Sequence, residues 1–109
     1  MAKAKKPTRA RTVRRAQDRD VEKLRRDIAK LYAEERGGSP ERAITLVSAS
    51  QVEPDAGSRA CPYCDATMRA ESHEVEAHRG ESLRVVRLVC RSCHAHWNRY
   101  YRLASAMPN

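Results

Sequence analysis

Cys61-Pro62-Tyr63-Cys64 and Cys90-Arg91-Ser92-Cys93 put four thiols into two Cys-x-x-Cys units of one short chain. Each unit presents two sulfurs on one side of a tight turn, so two units complete a tetrahedron around one Zn2+ at Zn–S distances of about 2.3 Å. Four thiolates fill the shell and leave no position for a substrate, which makes the expected chemistry structural rather than catalytic. The residue after each second cysteine commonly sits at positive φ. Asp65 and His94 hold those places, and both types are enriched there among non-glycine residues. Residues 65–89 between the units slightly exceed the usual spacing, which lengthens the intervening hairpin.

Three other chemistries share parts of this pattern. Cys61-Pro62-Tyr63-Cys64 is identical to the active-site tetrapeptide of glutaredoxins, which place it after a strand in a βαβ unit with a downstream proline opposite. No such unit precedes Cys61, and no proline lies between Pro62 and Pro108. Cys90-Arg91-Ser92-Cys93-His94 matches a c-type haem attachment pattern. It would leave Cys61 and Cys64 without a role and would require export. Iron in place of zinc, as in rubredoxins, uses the same two units and stays open. His73, His78, His94 and His96 are not needed as ligands once four cysteines complete the site. Ser, His and Asp occur in no recognisable nucleophile setting, and Glu71, Glu74, Glu76 and Glu81 read as a solvated hairpin, so no enzyme is expected.

A metal would also supply what the composition lacks. Only 40% of the 109 residues are hydrophobic, with no Phe and one Trp, so a domain of this size buries little apolar volume. The formal charge is +8, and the excess is concentrated. Lys3, Lys5, Lys6, Arg9, Arg11, Arg14 and Arg15 lie in residues 1–16 without any acid, whereas acids and bases nearly cancel from residue 17 onward. Residues 1–16 are expected as a disordered basic arm that contacts phosphates. No apolar stretch follows the arm as in a signal peptide, and no run spans a membrane. The expected compartment is the cytoplasm, where thiols stay reduced.

The elements that position the cysteines follow from periodicity. Val21, Leu24, Ile28, Leu31 and Tyr32 form one stripe, predicting an amphipathic helix over residues 17–36 stopped by Gly37-Gly38. Residues 37–58 read as a linker with a strand at 44–47, a short helix from Ser39-Pro40 being the alternative, and Pro54-Asp55-Ala56-Gly57-Ser58 leads into the metal domain at 59–104. A strand is expected from Met68 to about His78, although Ala70-Glu71-Ser72-His73-Glu74-Val75-Glu76-Ala77-His78 would also suit a helix by propensity. Further strands are expected over residues 83–89 and from Trp97 to Leu103, with a turn at Arg79-Gly80-Glu81. Alternation puts Trp97, Arg99, Tyr101 and Leu103 on one face, Trp97 in the core, and Tyr100 with Arg102 on the other. The strand 83–89 is apolar on both faces and needs cover on both. The helix stripe is the expected cover, from the same chain or from a second copy.

Residues 59–103 resemble the zinc ribbons, on Cys-x-x-Cys…Cys-x-x-Cys followed by an aromatic at Trp97. The resemblance implies a small α+β chain whose C-terminal part is a three-stranded antiparallel sheet carrying two knuckles. It also implies one structural Zn2+ on Cys61, Cys64, Cys90 and Cys93, and a binding module rather than an enzyme. The transcript-cleavage ribbon of elongation factor S-II carries an Asp-Glu pair at its hairpin tip. The tip here is His78-Arg79-Gly80-Glu81, so that activity is not implied. Two functions are expected. One is association with nucleic acid or a ribonucleoprotein or transcription assembly through the arm. The alternative is a protein-interaction or self-assembly module, a homodimer through helix 17–36, with the arm only solubilising. Neither involves a membrane or a small-molecule substrate.

Overall fold

The strand that is apolar on both faces takes the middle of the sheet. In the computed structural model, which describes residues 10–104, β3 (Glu81–Cys90) pairs antiparallel with β2 (Met68–His78) on one side and β4 (His96–Leu103) on the other. The β2–β3 connection is a two-residue turn with φ of 50° at Arg79 and 78° at Gly80. Positive φ at both central residues matches the twist of the flanking strands. The expected ribbon gains a fourth strand: β1 (Ile44–Leu46) pairs parallel to β4, Ile44 opposite Tyr101 and Leu46 opposite Leu103. The sheet is therefore mixed, in the order β1-β4-β3-β2, and not a three-stranded antiparallel one. The short apolar run of β1 covers an edge of β4 that would otherwise expose unpaired backbone groups.

A bulge between Ala70 and Ser72 lets β2 serve one face along its length. Before it, Met68 and Ala70 stand opposite Cys90 and Leu88. After it, His73 and Val75 stand opposite Val86 and Arg84, so parity switches while the face does not.

That face is covered by α2 (Val52–Gly57), where a linker was expected. Val52 and Ala56, at i and i+4, are completely buried and join Met68, Val86, Leu88, Cys90, Trp97 and Tyr101 in the core. Pro54 is tolerated because it lies in the first turn, where the backbone N–H has no intrahelical acceptor. Ser48 and Gln51 form a capping box on the 3-10 turn Ala49–Gln51 that leads into it. The Tyr101 hydroxyl donates to Asp55 Oδ2 at 2.8 Å, and burial together with Asp55 pushes its pKa far up.

The opposite face buries Leu83, Val85 and Val89, but the helix stripe is not their cover. Their cross-strand neighbours are long or polar: Glu76 beside Leu83, Glu74 and Tyr100 beside Val85, Arg69 and His96 beside Val89. Arg87 spans Glu74 and Glu76 at 3.7 Å. Aliphatic stems of such residues shield apolar surface while their charged ends stay in water.

The first helix, α1, runs over Ala10–Glu34 rather than residues 17–36. Arg11, Arg14 and Arg15, expected in a disordered arm, lie on it; Ala, Arg and Gln are strong helix formers, and Arg14–Asp18 offsets repulsion at i,i+4. Residues 1–9, with Lys3, Lys5, Lys6 and Arg9, lie outside the described residues. The chain leaves α1 through Gly37 at φ 83° and Gly38, where a Cβ would stand 1.8 Å from the Tyr32 carbonyl oxygen. A 3-10 turn at Pro40–Arg42 then precedes β1.

Only the C-terminal turns of α1 meet the core. Tyr32 is buried and Ile28 and Ala29 pack at its margin, whereas Val21, Leu24 and Leu31 are 51%, 59% and 67% exposed. The Tyr32 hydroxyl donates to the Asn98 carbonyl at 2.6 Å. Beyond the helix, Glu35 accepts from Arg59 at 2.8 and 3.1 Å and from Arg99 at 3.1 Å. Arg99 is buried and also donates to the Arg36 carbonyl at 3.0 Å. Burial alone would raise the Glu35 pKa, but hydrogen bonds and charge from Arg59 and Arg99 outweigh it and hold it below 4.5. A depressed carboxylate stabilises the fold above its unfolded pKa and loses that contribution as pH falls through the folded value. Wild type should therefore melt above Glu35→Gln near neutrality, and the gap should close on acidification below the carboxylate range. Calorimetry of both variants across that range checks it, and a constant gap would contradict it.

Among the described residues, no helix is long and apolar enough to cross a membrane.

Candidate metal centre

The two knuckles meet at one end of the sheet because β2 and β4 each follow a Cys-x-x-Cys turn, while β3 ends in Cys90 itself. Met68 opposite Cys90 and Val89 opposite His96 fix that register. Each turn is closed twice by its backbone. Asp65 N–H donates to the Cys61 carbonyl at 2.8 Å and Cys61 N–H to Ala66 at 2.9 Å. His94 N–H donates to Cys90 at 3.2 Å and Cys90 N–H to Ala95 at 2.9 Å. Asp65 and His94 have φ of 64° and 63°, the left-handed conformation expected of them.

The four sulfurs lie within 4.8 Å of one another, with Cys61–Cys93 at 3.7 Å and Cys64–Cys90 at 3.3 Å. Four sulfurs at about 2.3 Å from a central ion stand about 3.8 Å apart, whereas a disulfide needs about 2.05 Å. The donor set thus fits one tetrahedral metal ion, and all four cysteines are free thiols. Cys61 and Cys90 are buried in the core, Cys93 is half-buried and Cys64 is exposed.

Backbone N–H groups prepare the site for charge. Ser92 and Cys93 donate to Cys90 Sγ at 3.3 and 3.4 Å. Burial works to raise the Cys90 pKa, but these N–H groups and the neighbouring thiols outweigh it and bring the value down to about 6. At Cys93 the Ala95 backbone lowers the pKa, yet burial and the sulfurs of Cys61, Cys90 and Cys64 prevail and push it up to about 11. The two N–H donors thus favour the thiolate form at Cys90, and a bound divalent cation would deprotonate the other thiols.

Aromatic side chains brace the first knuckle from α1 and β4. Trp97 sits between Tyr32 and Tyr63 at centroid distances of 4.7 and 4.6 Å, and Arg25 lies over the Tyr63 ring at 5.1 Å. A groove of about 530 Å³ runs between α1 and this knuckle, lined by Ile28, Leu31, Tyr32, Pro62 and Tyr63 among others. His94 and His96 are exposed, as surface residues of the second knuckle.

Arg11, Arg14 and Arg15 are exposed on α1 and are not brought to the metal centre. Ile28, the first residue of α1 to pack on the core, lies thirteen residue steps along the helix from Arg15, a rise of about 20 Å. Tyr100 is half-buried, and Arg102 holds Glu81 through two bonds of 2.7 Å instead of standing free beside it.

Comparison with family models, with curated proteins and with solved structures returns no match to this chain.

Proposed function

We propose that this chain is a non-catalytic module built on one structural Zn2+ that associates with nucleic acid or a nucleoprotein assembly through its basic N-terminal segment. The observation that carries the second half is the placement of Arg11, Arg14 and Arg15. At i, i+3 and i+4 of α1 they share one exposed face, continuing the acid-free run that begins at Lys3. Such a face releases counterions from a polyanion whatever its sequence. The closed four-sulfur site supports a structural role for the metal, and zinc suits it as an ion without redox chemistry that four thiolates hold tetrahedrally.

The metal is tested by elemental analysis of purified protein: about one zinc per chain is expected, and iron with visible thiolate absorption would replace that part of the reading. The nucleic-acid half is tested with the triple variant Arg11→Ala/Arg14→Ala/Arg15→Ala, titrated beside the intact chain against labelled RNA and duplex DNA at several salt concentrations. The variant should bind more weakly across all sequences, with the slope of log K against log salt on duplex flatter by about 2.7. Zinc content should not change. Equal binding by the two proteins, or none by either at moderate salt, would remove nucleic acid from the function.

A further inference from the structure

We propose that two copies of this chain pair through α1 as a parallel two-stranded coiled coil. Val21, Leu24, Ile28 and Leu31 follow a strict heptad, β-branched residues at both a positions and leucine at both d positions, the combination that favours a parallel dimer. Within one chain this seam is largely unused: Val21, Leu24 and Leu31 are all more than half exposed, and only Ile28 reaches its own core.

The flanking charges choose both the occupant and its direction. In a parallel pair, Asp20 at a g position faces Arg25 of the partner subunit at e, twice by symmetry, and Asp27 meets no like charge because the next e position is Tyr32, buried in its own core. In an antiparallel pair with the same apolar layers, Asp20 would face Glu34, Asp27 would face Asp27, and Arg25 would face Arg25. Like charges would then meet on both flanks.

The seam is short, because Arg14 and Gln17 occupy the preceding a and d positions and Glu35 the next a. Two heptads alone are marginal. The groove between α1 and the first knuckle continues it, since Ile28 and Leu31 line both, and a second helix beside Leu31 would lie against Pro62 and Tyr63. Arg25 over Tyr63 stands at the border of seam and knuckle, within reach of an acidic flank. Parallel pairing would place both basic N-terminal segments at the same end and let them diverge at Arg14. The dimer does not depend on what those segments bind.

Sedimentation equilibrium and light scattering of the zinc-loaded full chain should give twice the monomer mass at tens of micromolar. Leu24→Asp should return it to monomer with zinc content and sheet ellipticity unchanged, because Leu24 is 59% exposed and outside the core. Asp20→Arg should weaken the dimer about tenfold by opposing Arg25 of the partner subunit, and Asp20→Arg/Arg25→Asp should recover most of the loss. A monomer at every concentration, or a dimer indifferent to Leu24→Asp, would overturn the proposal. Tighter association of Asp20→Arg would overturn the parallel arrangement, since in an antiparallel pair that change relieves repulsion from Glu34.

Discussion

Chelating the metal is expected to unfold the sheet, with the thermal transition and the near-ultraviolet signal of Trp97 lost together. Cys61 and Cys90 are 1% and 0% exposed and belong to the same core as Val86, Leu88 and Trp97, so the metal centre is part of that core and not an appendage to it. Apparent binding free energies of roughly 10–16 kcal/mol for structural zinc match or exceed the ~5–15 kcal/mol by which whole domains are stable. A chain with no Phe and one Trp has little apolar burial in reserve. Acid should act in the same direction, because protons compete with the ion for thiolates. Cys90→Ser should abolish both metal binding and the cooperative transition. It removes the sulfur ligand at the end of β3, the one that accepts from two backbone N–H groups. Cys64→Ser, at an exposed sulfur, should weaken metal binding while preserving more residual structure. Metal analysis beside calorimetry decides this; a cooperative transition that survives complete chelation would refute the coupling.

What was legible in the sequence is local. The knuckles, the left-handed residues Asp65 and His94, and the turn at Arg79-Gly80 each depend on a few adjacent residues. Strands were expected close to where β2, β3 and β4 lie, and Trp97, Arg99 and Tyr101 are buried on the face that alternation assigned to them. Relations between distant segments were not legible. A parallel pairing of Ile44–Leu46 with β4 has no turn to announce it. Val52–Gly57 carries Pro54 and Gly57, which resemble a linker until Val52 and Ala56 are seen buried four residues apart. At the N-terminus, mutual repulsion of arginines argued for disorder, and the helix propensity of the same residues prevailed from Ala10 onward. Periodicity located the stripe on α1 correctly, but it carries no information on which part of the stripe meets the body.

That last distinction sets the second large effect: Tyr32→Ala should release α1 from the sheet, where Leu24→Asp should not. Tyr32 is 5% exposed, packs its ring on Trp97, and is the one residue of α1 that is fully part of the core. Removing a buried aromatic side chain costs about 3–5 kcal/mol, and the cavity here would open between the helix and the partner of Tyr63. The hydroxyl contributes separately. Tyr32→Phe leaves the Asn98 carbonyl without its 2.6 Å donor and should cost about 1 kcal/mol, with packing retained. Glu35, Arg59 and Arg99 lie at the same end of α1, so they hold the chain after the helix even when the ring is gone. Hydrogen exchange should therefore show faster exchange across residues 10–34 in Tyr32→Ala, with protection of β3 reduced only through the lower global stability. Equal protection of α1 in Tyr32→Ala and wild type would mean that the ion pairs, and not the aromatic contact, dock the helix.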